Sequence, residues 1–278
     1  MTISIDSTID NYCVMGNPVA HSKSPQIHTA FAEQTRQNIF YQAIFVDDGK
    51  FNEAIKEFQE RGGKGLNITV PFKGDAWEMA DYKSGKAERA LAVNTISFNV
   101  EGKIIGDNTD GVGLIRDLTI NQKLSIKNKH ILILGAGGAV RGILDPLLDE
   151  KPDRVAIANR TVSRAEKLAD IFSDRGDVSA CGFDELLNNS FDIIINGTSA
   201  SLQGDVPPLP ESILKENTCC YDMMYSAIDT PFVAWAKAHG SGKALDGLGM
   251  LVEQAAESFF IWRGVRPETS NIIQSLKK

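Results

Sequence analysis

Long hydrophobic runs are missing from this 278-residue chain. Nowhere do apolar residues continue for the roughly 20 positions that a membrane-spanning helix needs. Residues 1–10 carry neither a basic stretch nor an apolar one, so an export signal is not expected and a cytoplasmic protein is. Positive charge is also short. The 29 Lys and Arg stand against 36 Asp and Glu, a net charge of −7, and such a surface repels a phosphate backbone. Nucleic acid is therefore not an expected partner. Cysteine is sparse and unclustered: Cys13, Cys181, Cys219 and Cys220 form no C-x-x-C pair. A disulfide framework is excluded, reduced thiols are expected, and no metal site is. Internal repeats, low-complexity tracts and Pro- or Ser-rich linkers are absent as well.

What is present is an ordinary globular share of apolar residues, 42%, in a chain long enough for two domains. Short apolar runs alternate with helix-period segments. Ile131, Leu132, Ile133 and Leu134 follow one another without polar alternation, the mark of a strand covered on both faces. Runs at 155–158 and 191–195 repeat the pattern. Between them, Ala165, Leu168, Ala169 and Phe172 fall on one helical face over 161–172, with Ser163 and Glu166 offering a capping box. Strand, helix, strand at this spacing predicts a right-handed crossover and a parallel sheet. The first hundred residues repeat the theme, with candidate strands at 12–16, 43–46 and 66–70. Phe51, Ala54, Ile55 and Phe58 mark a helix between the last two. Residues 247–264 read as a long helix, with a shorter one after Pro267. Two α/β units commonly leave a ligand-binding cleft.

Directly after Leu134 comes Gly135-Ala136-Gly137-Gly138-Ala139, leading into an apolar helical pattern (Val140, Ile143, Leu144, Leu147, Leu148). Glycines there let backbone approach a pyrophosphate, which the free N–H groups of a helix N-terminus attract. The third position of the G-x-G-x-x-G pattern is Val140, so the turn alone is a weak signal. The end of the next strand sharpens it. A site selective for NAD carries an acid there to bond the ribose hydroxyls. This chain instead has Asn159, Arg160 and Thr161, with Arg164 one turn on. Two guanidiniums grip a 2′-phosphate through charge-assisted, bidentate bonds. The expected cofactor is NADP, and the missing acid weighs equally against S-adenosylmethionine.

Several long motifs then resemble one family, in its order and over nearly the whole chain. They are Gly16-Asn17-Pro18 with His21-Ser22-Lys23-Ser24-Pro25, Asn67-Ile68-Thr69-Val70-Pro71-Phe72-Lys73, Val93-Asn94-Thr95, and Gly106-Asp107-Asn108-Thr109-Asp110-Gly111. Asn159-Arg160-Thr161, Tyr221-Asp222-Met223-Met224-Tyr225 and Asp246-Gly247-Leu248-Gly249-Met250-Leu251 complete the set. The sequence resembles shikimate dehydrogenase. The resemblance implies reduction of 3-dehydroshikimate to shikimate with NADPH, on the route to chorismate and the aromatic amino acids. It implies an α/β fold with an N-terminal substrate-binding domain, 1–109, completed by helices in 250–278. A Rossmann-type NADP-binding domain would occupy 110–249. The protein would be a monomer or homodimer.

By the same resemblance, Lys73 and Asp110 are the catalytic pair. Hydride delivery to a ketone builds charge on its oxygen, and a Lys beside a carboxylate can hold that oxygen and supply the proton. Which of the two is the formal acid–base group stays open. Ser22, Ser24, Thr69, Asn94, Tyr225 and Gln254 resemble the substrate contacts, and Met223 and Gly247 the nicotinamide-side contacts. The Asn196-Gly197-Thr198-Ser199 turn is expected to run beside the cofactor. Three departures stand out. Gly85 replaces a frequent carboxylate. Leu91 replaces a common Gly and is expected to tighten packing near Asn94. Gly197 replaces the usual Ala and is expected to be without consequence. Two rivals remain: an NAD-preferring quinate/shikimate dehydrogenase, and a non-catalytic NADP-binding sensor on the same fold.

Overall fold

The computed structural model describes residues 4–5, 8–187 and 189–277. By internal contacts the chain divides into two compact units, Met1–Gly113 with Val252–Lys278, and Leu114–Leu251.

The first unit is built on a six-stranded sheet. Its strands are β1 (Asp10–Gly16), β2 (Ile39–Phe45), β3 (Gly63–Ile68), β4 (Tyr82–Lys83), β5 (Thr95–Phe98) and β6 (Ile104–Asp107), in the order β2-β1-β3-β5-β6-β4. The sheet is mixed: β1 runs parallel to β2 and β3, whereas β5 is antiparallel to both β3 and β6. One face buries Cys13, Met15, Leu66 and Ile68 against helix α2 (Phe51–Glu60), whose Phe51, Ala54, Ile55 and Phe58 are all buried as their spacing predicts. On the other face, Tyr41 of β2 stacks on His28 of α1 (Ser24–Thr35), ring centroids 4.2 Å apart. Three shorter helices, α3 (Lys73–Met79), α4 (Gly85–Ala90) and α5 (Asp110–Arg116), follow β3, β4 and β6.

The strand bounds differ from the expected ones. β2 begins at Ile39 rather than 43, and β3 covers Gly63–Ile68 rather than 66–70. Glycine conceals the start of β3. A Cβ at Gly65 would lie 2.6 Å from the Trp262 indole nitrogen, so the strand carries glycine because an aromatic ring packs onto its backbone. Leu91 is a second correction. It closes α4 in the left-handed conformation, φ 46°, and its side chain is largely exposed, so it does not tighten the packing near Asn94. That backbone conformation is the reason a glycine suits the position.

The second unit is a wholly parallel sheet of β7 (His130–Leu134), β8 (Arg154–Ala158), β9 (Val178–Cys181), β10 (Ile193–Asn196), β11 (Cys219–Asp222) and β12 (Lys243–Leu245). The order is β12-β11-β10-β7-β8-β9, so the direction of winding reverses between β7 and β10. All four residues from Ile131 to Leu134 are buried. Ile131 and Ile133 pack with α6 (Gly138–Asp149) and α7 (Val162–Phe172), and Leu132 and Leu134 with Phe232 and Ala236 of α8 (Pro231–Ala238). This is an α/β unit with helices on both faces, and the open end of a doubly wound sheet at its switch point is where ligands bind. The expected capping box is absent. α7 is capped at Thr161, which places Ser163 inside the first turn rather than ahead of it. The final helices are α9 (Leu248–Arg263) and α10 (Ser270–Leu276).

Candidate active site

In the first unit, β3 ends at Ile68, and the chain leads through Thr69 to Pro71 and then into α3, whose first residue is Lys73. Asp110 opens α5 just after β6, its backbone N–H held by the Asn108 side chain at 3.1 Å. The two elements bring Lys73 Nζ to 2.6 Å from Asp110 Oδ2, with side chains 28% and 11% exposed. The pair is sheltered, yet open enough to meet a ligand.

Asn94 fixes the other carboxylate oxygen. Its Nδ2 donates to Asp110 Oδ1 at 2.8 Å, while its Oδ1 accepts from the Thr109 N–H and the Thr95 hydroxyl, both at 2.9 Å. A backbone N–H cannot reverse, so it dictates which way the Asn94 amide faces. Behind lies a buried polar layer. Tyr41 donates to Asn67 Oδ1 at 2.7 Å, and Asn67 Nδ2 donates to Ser258 Oγ at 3.0 Å. Ser258 lies 2.8 Å from the Thr95 hydroxyl and 3.3 Å from that of Thr109. Gln254, one turn before Ser258 on α9, brings Oε1 to 3.3 Å from the Thr109 hydroxyl and is partly exposed.

Lys73, Asp110, Asn94 and Gln254 thus form one hydrogen-bonded group. Ser22 and Ser24 sit at the start of α1, where the Ser24 N–H donates to the Ser22 hydroxyl at 3.2 Å. Ser24 is the first helical residue and makes no capping bond. Thr69 is partly buried at the end of β3, its N–H donating to the Met15 carbonyl at 3.0 Å. Tyr225 belongs to the second unit, where burial raises its hydroxyl pKa. Thr95, Thr109 and Ser258 were not singled out by sequence reasoning, because hydroxyl residues have no distinctive spacing. The i, i+4 relation of Gln254 and Ser258 on an otherwise apolar face was the available signal.

In the second unit the glycine turn has the shape a pyrophosphate requires. Gly135 takes φ 102°, a value that glycine adopts freely, and a Cβ at Gly137 or Gly138 would meet nothing within 4 Å. α6 starts there without a side-chain cap, leaving first-turn N–H groups for an anion. Ala136 and Ala139 are partly buried beside the glycines. At the end of β8, Asn159 Nδ2 bonds the Thr161 carbonyl at 2.8 Å, and Arg160 and Arg164 are exposed. No acid occupies the strand end. These residues fit a phosphorylated dinucleotide. A pocket of about 620 Å³ lies alongside Arg160, lined by Phe183, Leu187, Pro208 and Leu209. Met223 and Gly247 meet on the far side, where the Gly247 N–H donates to the Met224 carbonyl at 2.9 Å.

Family models match three stretches of the chain: a shikimate dehydrogenase substrate-binding domain at 14–96, a shikimate/quinate 5-dehydrogenase domain at 118–204, and a shikimate 5′-dehydrogenase C-terminal domain at 247–277. The chain belongs to the shikimate dehydrogenase family. It is 56% identical over 268 residues to a shikimate dehydrogenase (NADP(+)) of Alkalilimnicola ehrlichii, covering 96% of this chain and 98% of that one. A crystal structure of an Ael1 enzyme from Pseudomonas putida superposes with a TM-score of 0.93 at 43% identity, covering 97% and 98%. The shikimate 5-dehydrogenase of Thermus thermophilus, in complex with NADP(H) and shikimate, gives 0.85 at 31% identity, covering 96% and 98%.

Proposed function

We propose that this protein is an NADP-dependent shikimate dehydrogenase that interconverts 3-dehydroshikimate and shikimate. The observation that carries the reading is the Lys73–Asp110 pair at 2.6 Å, with Asn94 bonded to the second carboxylate oxygen. NADPH, when bound, supplies the hydride that reduces the substrate's ring ketone. The Lys73 ammonium holds the ketone oxygen as negative charge develops there, and the Lys73–Asp110 couple delivers the proton that completes the alcohol. Asp110 orients Lys73 and accepts from the neighbouring substrate hydroxyl. Asn94 and Gln254 bond further hydroxyls. Ser22 and Ser24 take the carboxylate, Thr69 is a further substrate contact, and Tyr225 is a remaining hydroxyl or carboxylate contact. In the second unit, Gly135 to Ala139 hold the pyrophosphate, Asn159, Arg160, Thr161 and Arg164 the adenosine 2′-phosphate, and Met223 and Gly247 the nicotinamide.

The missing acid near Asn159 favours NADP over NAD, and the intact pair favours catalysis over sensing. Four free cysteines fit a reducing, cytoplasmic compartment. The test is absorbance at the nicotinamide band with shikimate and NADP+, in the wild type and in K73A. The substitution should cut turnover about 10²–10⁴-fold while leaving NADPH affinity unchanged. Undiminished turnover in K73A would remove Lys73 from the mechanism.

A further inference from the structure

Asp222, the last residue of β11, is completely buried and accepts four hydrogen bonds. Asn196 Nδ2 and the Met224 N–H reach Oδ1 at 3.1 and 3.0 Å, and the Ser201 and Thr230 hydroxyls reach Oδ2 at 2.6 Å each. The direction of every bond is set by a second partner. Asn196 Oδ1 accepts from the Thr198 N–H, so its amide nitrogen faces Asp222. The Ser201 oxygen accepts from Asn196 at 3.3 Å and the Thr230 oxygen from the Val233 N–H at 3.3 Å, which leaves each hydroxyl proton for Asp222. Four donors thus converge on the two carboxylate oxygens. No cationic side chain lies within ion-pair distance of it among the described residues. Burial with dipoles alone leaves the field of that charge largely unscreened.

The position of the charge gives it a use. Met223 follows Asp222, its N–H donating to the Asn196 carbonyl at 2.9 Å, and its sulfur lies over the Gly197 turn. Met223 and Gly247 are the residues assigned above to the nicotinamide. The oxidised ring of NADP+ is a pyridinium with one positive charge, and the reduced ring of NADPH is neutral. We propose that the buried Asp222 carboxylate discriminates between the two redox states of the cofactor, favouring NADP+ over NADPH, and thereby promotes hydride donation by NADPH. The proposal rests on the reading of this chain as an NADP enzyme with Met223 beside the nicotinamide. Were bound NADPH to pass its hydride to the substrate ketone, the Asp222 carboxylate would stabilise the positive charge left on the nicotinamide. Through an effective dielectric of about 20–40, one unit charge acts on another by about threefold or more wherever the two lie within about 12 Å.

The experiment compares dissociation constants for NADP+, NADPH and 2′-phospho-ADP-ribose, which has no nicotinamide, in the wild type, D222N and S201K. D222N removes the charge at nearly constant shape. S201K, at a partly exposed position, supplies an ammonium to the same carboxylate and cancels its field without touching Asp222. Circular dichroism establishes that each variant folds, and S201K decides should D222N not fold. The expected result is a loss of NADP+ affinity at least threefold greater than any change for NADPH, with 2′-phospho-ADP-ribose following NADPH. A merely structural role would weaken all three ligands together, and an unchanged NADP+/NADPH ratio in a folded variant would overturn the proposal. Failure of the wild type to bind either nucleotide would instead overturn the cofactor reading itself.

Discussion

At the scale of single residues, the orientation of Asn94 follows from one backbone proton. The Thr109 N–H claims its oxygen, so its nitrogen must face Asp110. Asn94 and Asp110 could be singled out in the sequence because each belongs to a run of several matching residues. The bracing layer was not legible as a layer: Thr95 and Thr109 stand in the same runs, but Ser258, which joins them, comes from α9 and belongs to no matching run. Arg160 shows how an exposed side chain can still be legible. Its meaning came from what was missing beside it, an acid at the strand end. R160A should weaken NADPH binding by about 1.5–3 kcal/mol, the usual worth of hydrogen bonds to a charged group, and barely alter NADH binding. Titration of both nucleotides checks this, and equal losses would mean that Arg160 does not meet the 2′-phosphate.

At the scale of elements, three strands of each unit were legible. In the second, β7, β8 and β10 are continuous apolar runs, because a parallel sheet covered on both faces demands them, whereas β9, β11 and β12 carry Ser179, Asp222 and Lys243 and form no such run. The first unit hid its other strands for a different reason. Antiparallel β5 and β6 and a glycine-bearing β3 interrupt the pattern that sequence reading relies upon. The capping box failed because Ser163 lies inside α7 rather than ahead of it. Gly197 corrects a further expectation, that its replacement of Ala has no consequence. A Cβ there would fall 2.4 Å from Val140 Cγ2, and Val140 is the residue that fills the third glycine position of the turn. The larger residue on α6 and the smaller one after β10 are complementary. G197A should therefore destabilise the protein by roughly 1–3 kcal/mol through overpacking. V140A/G197A should recover part of that loss, with a coupling of about 0.5–3 kcal/mol. Chemical denaturation of the two single variants and the double measures the coupling. Strictly additive losses would show that the two sites are independent.

At the scale of the whole molecule, His28 ties stability to acidity. It is fully buried beside Tyr41 and Phe259, and neither ring nitrogen has a hydrogen-bond partner among the described residues. Burial pushes its pKa down from 6.5 to about 3. Between those values the unfolded chain binds a proton that the folded chain refuses. Stability therefore rises with pH across this window and is lost as pH falls below about 6.5. At pH 5 the cost is ~2 kcal/mol. Unfolding free energies from urea titrations at pH 7 and pH 5 should separate by about that amount more in the wild type than in H28F, which keeps an aromatic ring but cannot take up a proton. Equal separations would mean that His28 is not the acid-sensitive group.

The first unit is assembled from both ends of the chain, whereas Leu114–Leu251 is one unbroken stretch. During synthesis, Ser258 and Trp262 leave the ribosome after the whole of Leu114–Leu251, yet they brace Asn67, Tyr41 and Tyr12 of β3, β2 and β1. The nucleotide-holding half can close while translation continues. The half that bears Lys73 and Asp110 must wait for α9, so the bracing behind that pair forms only after the second unit has been made.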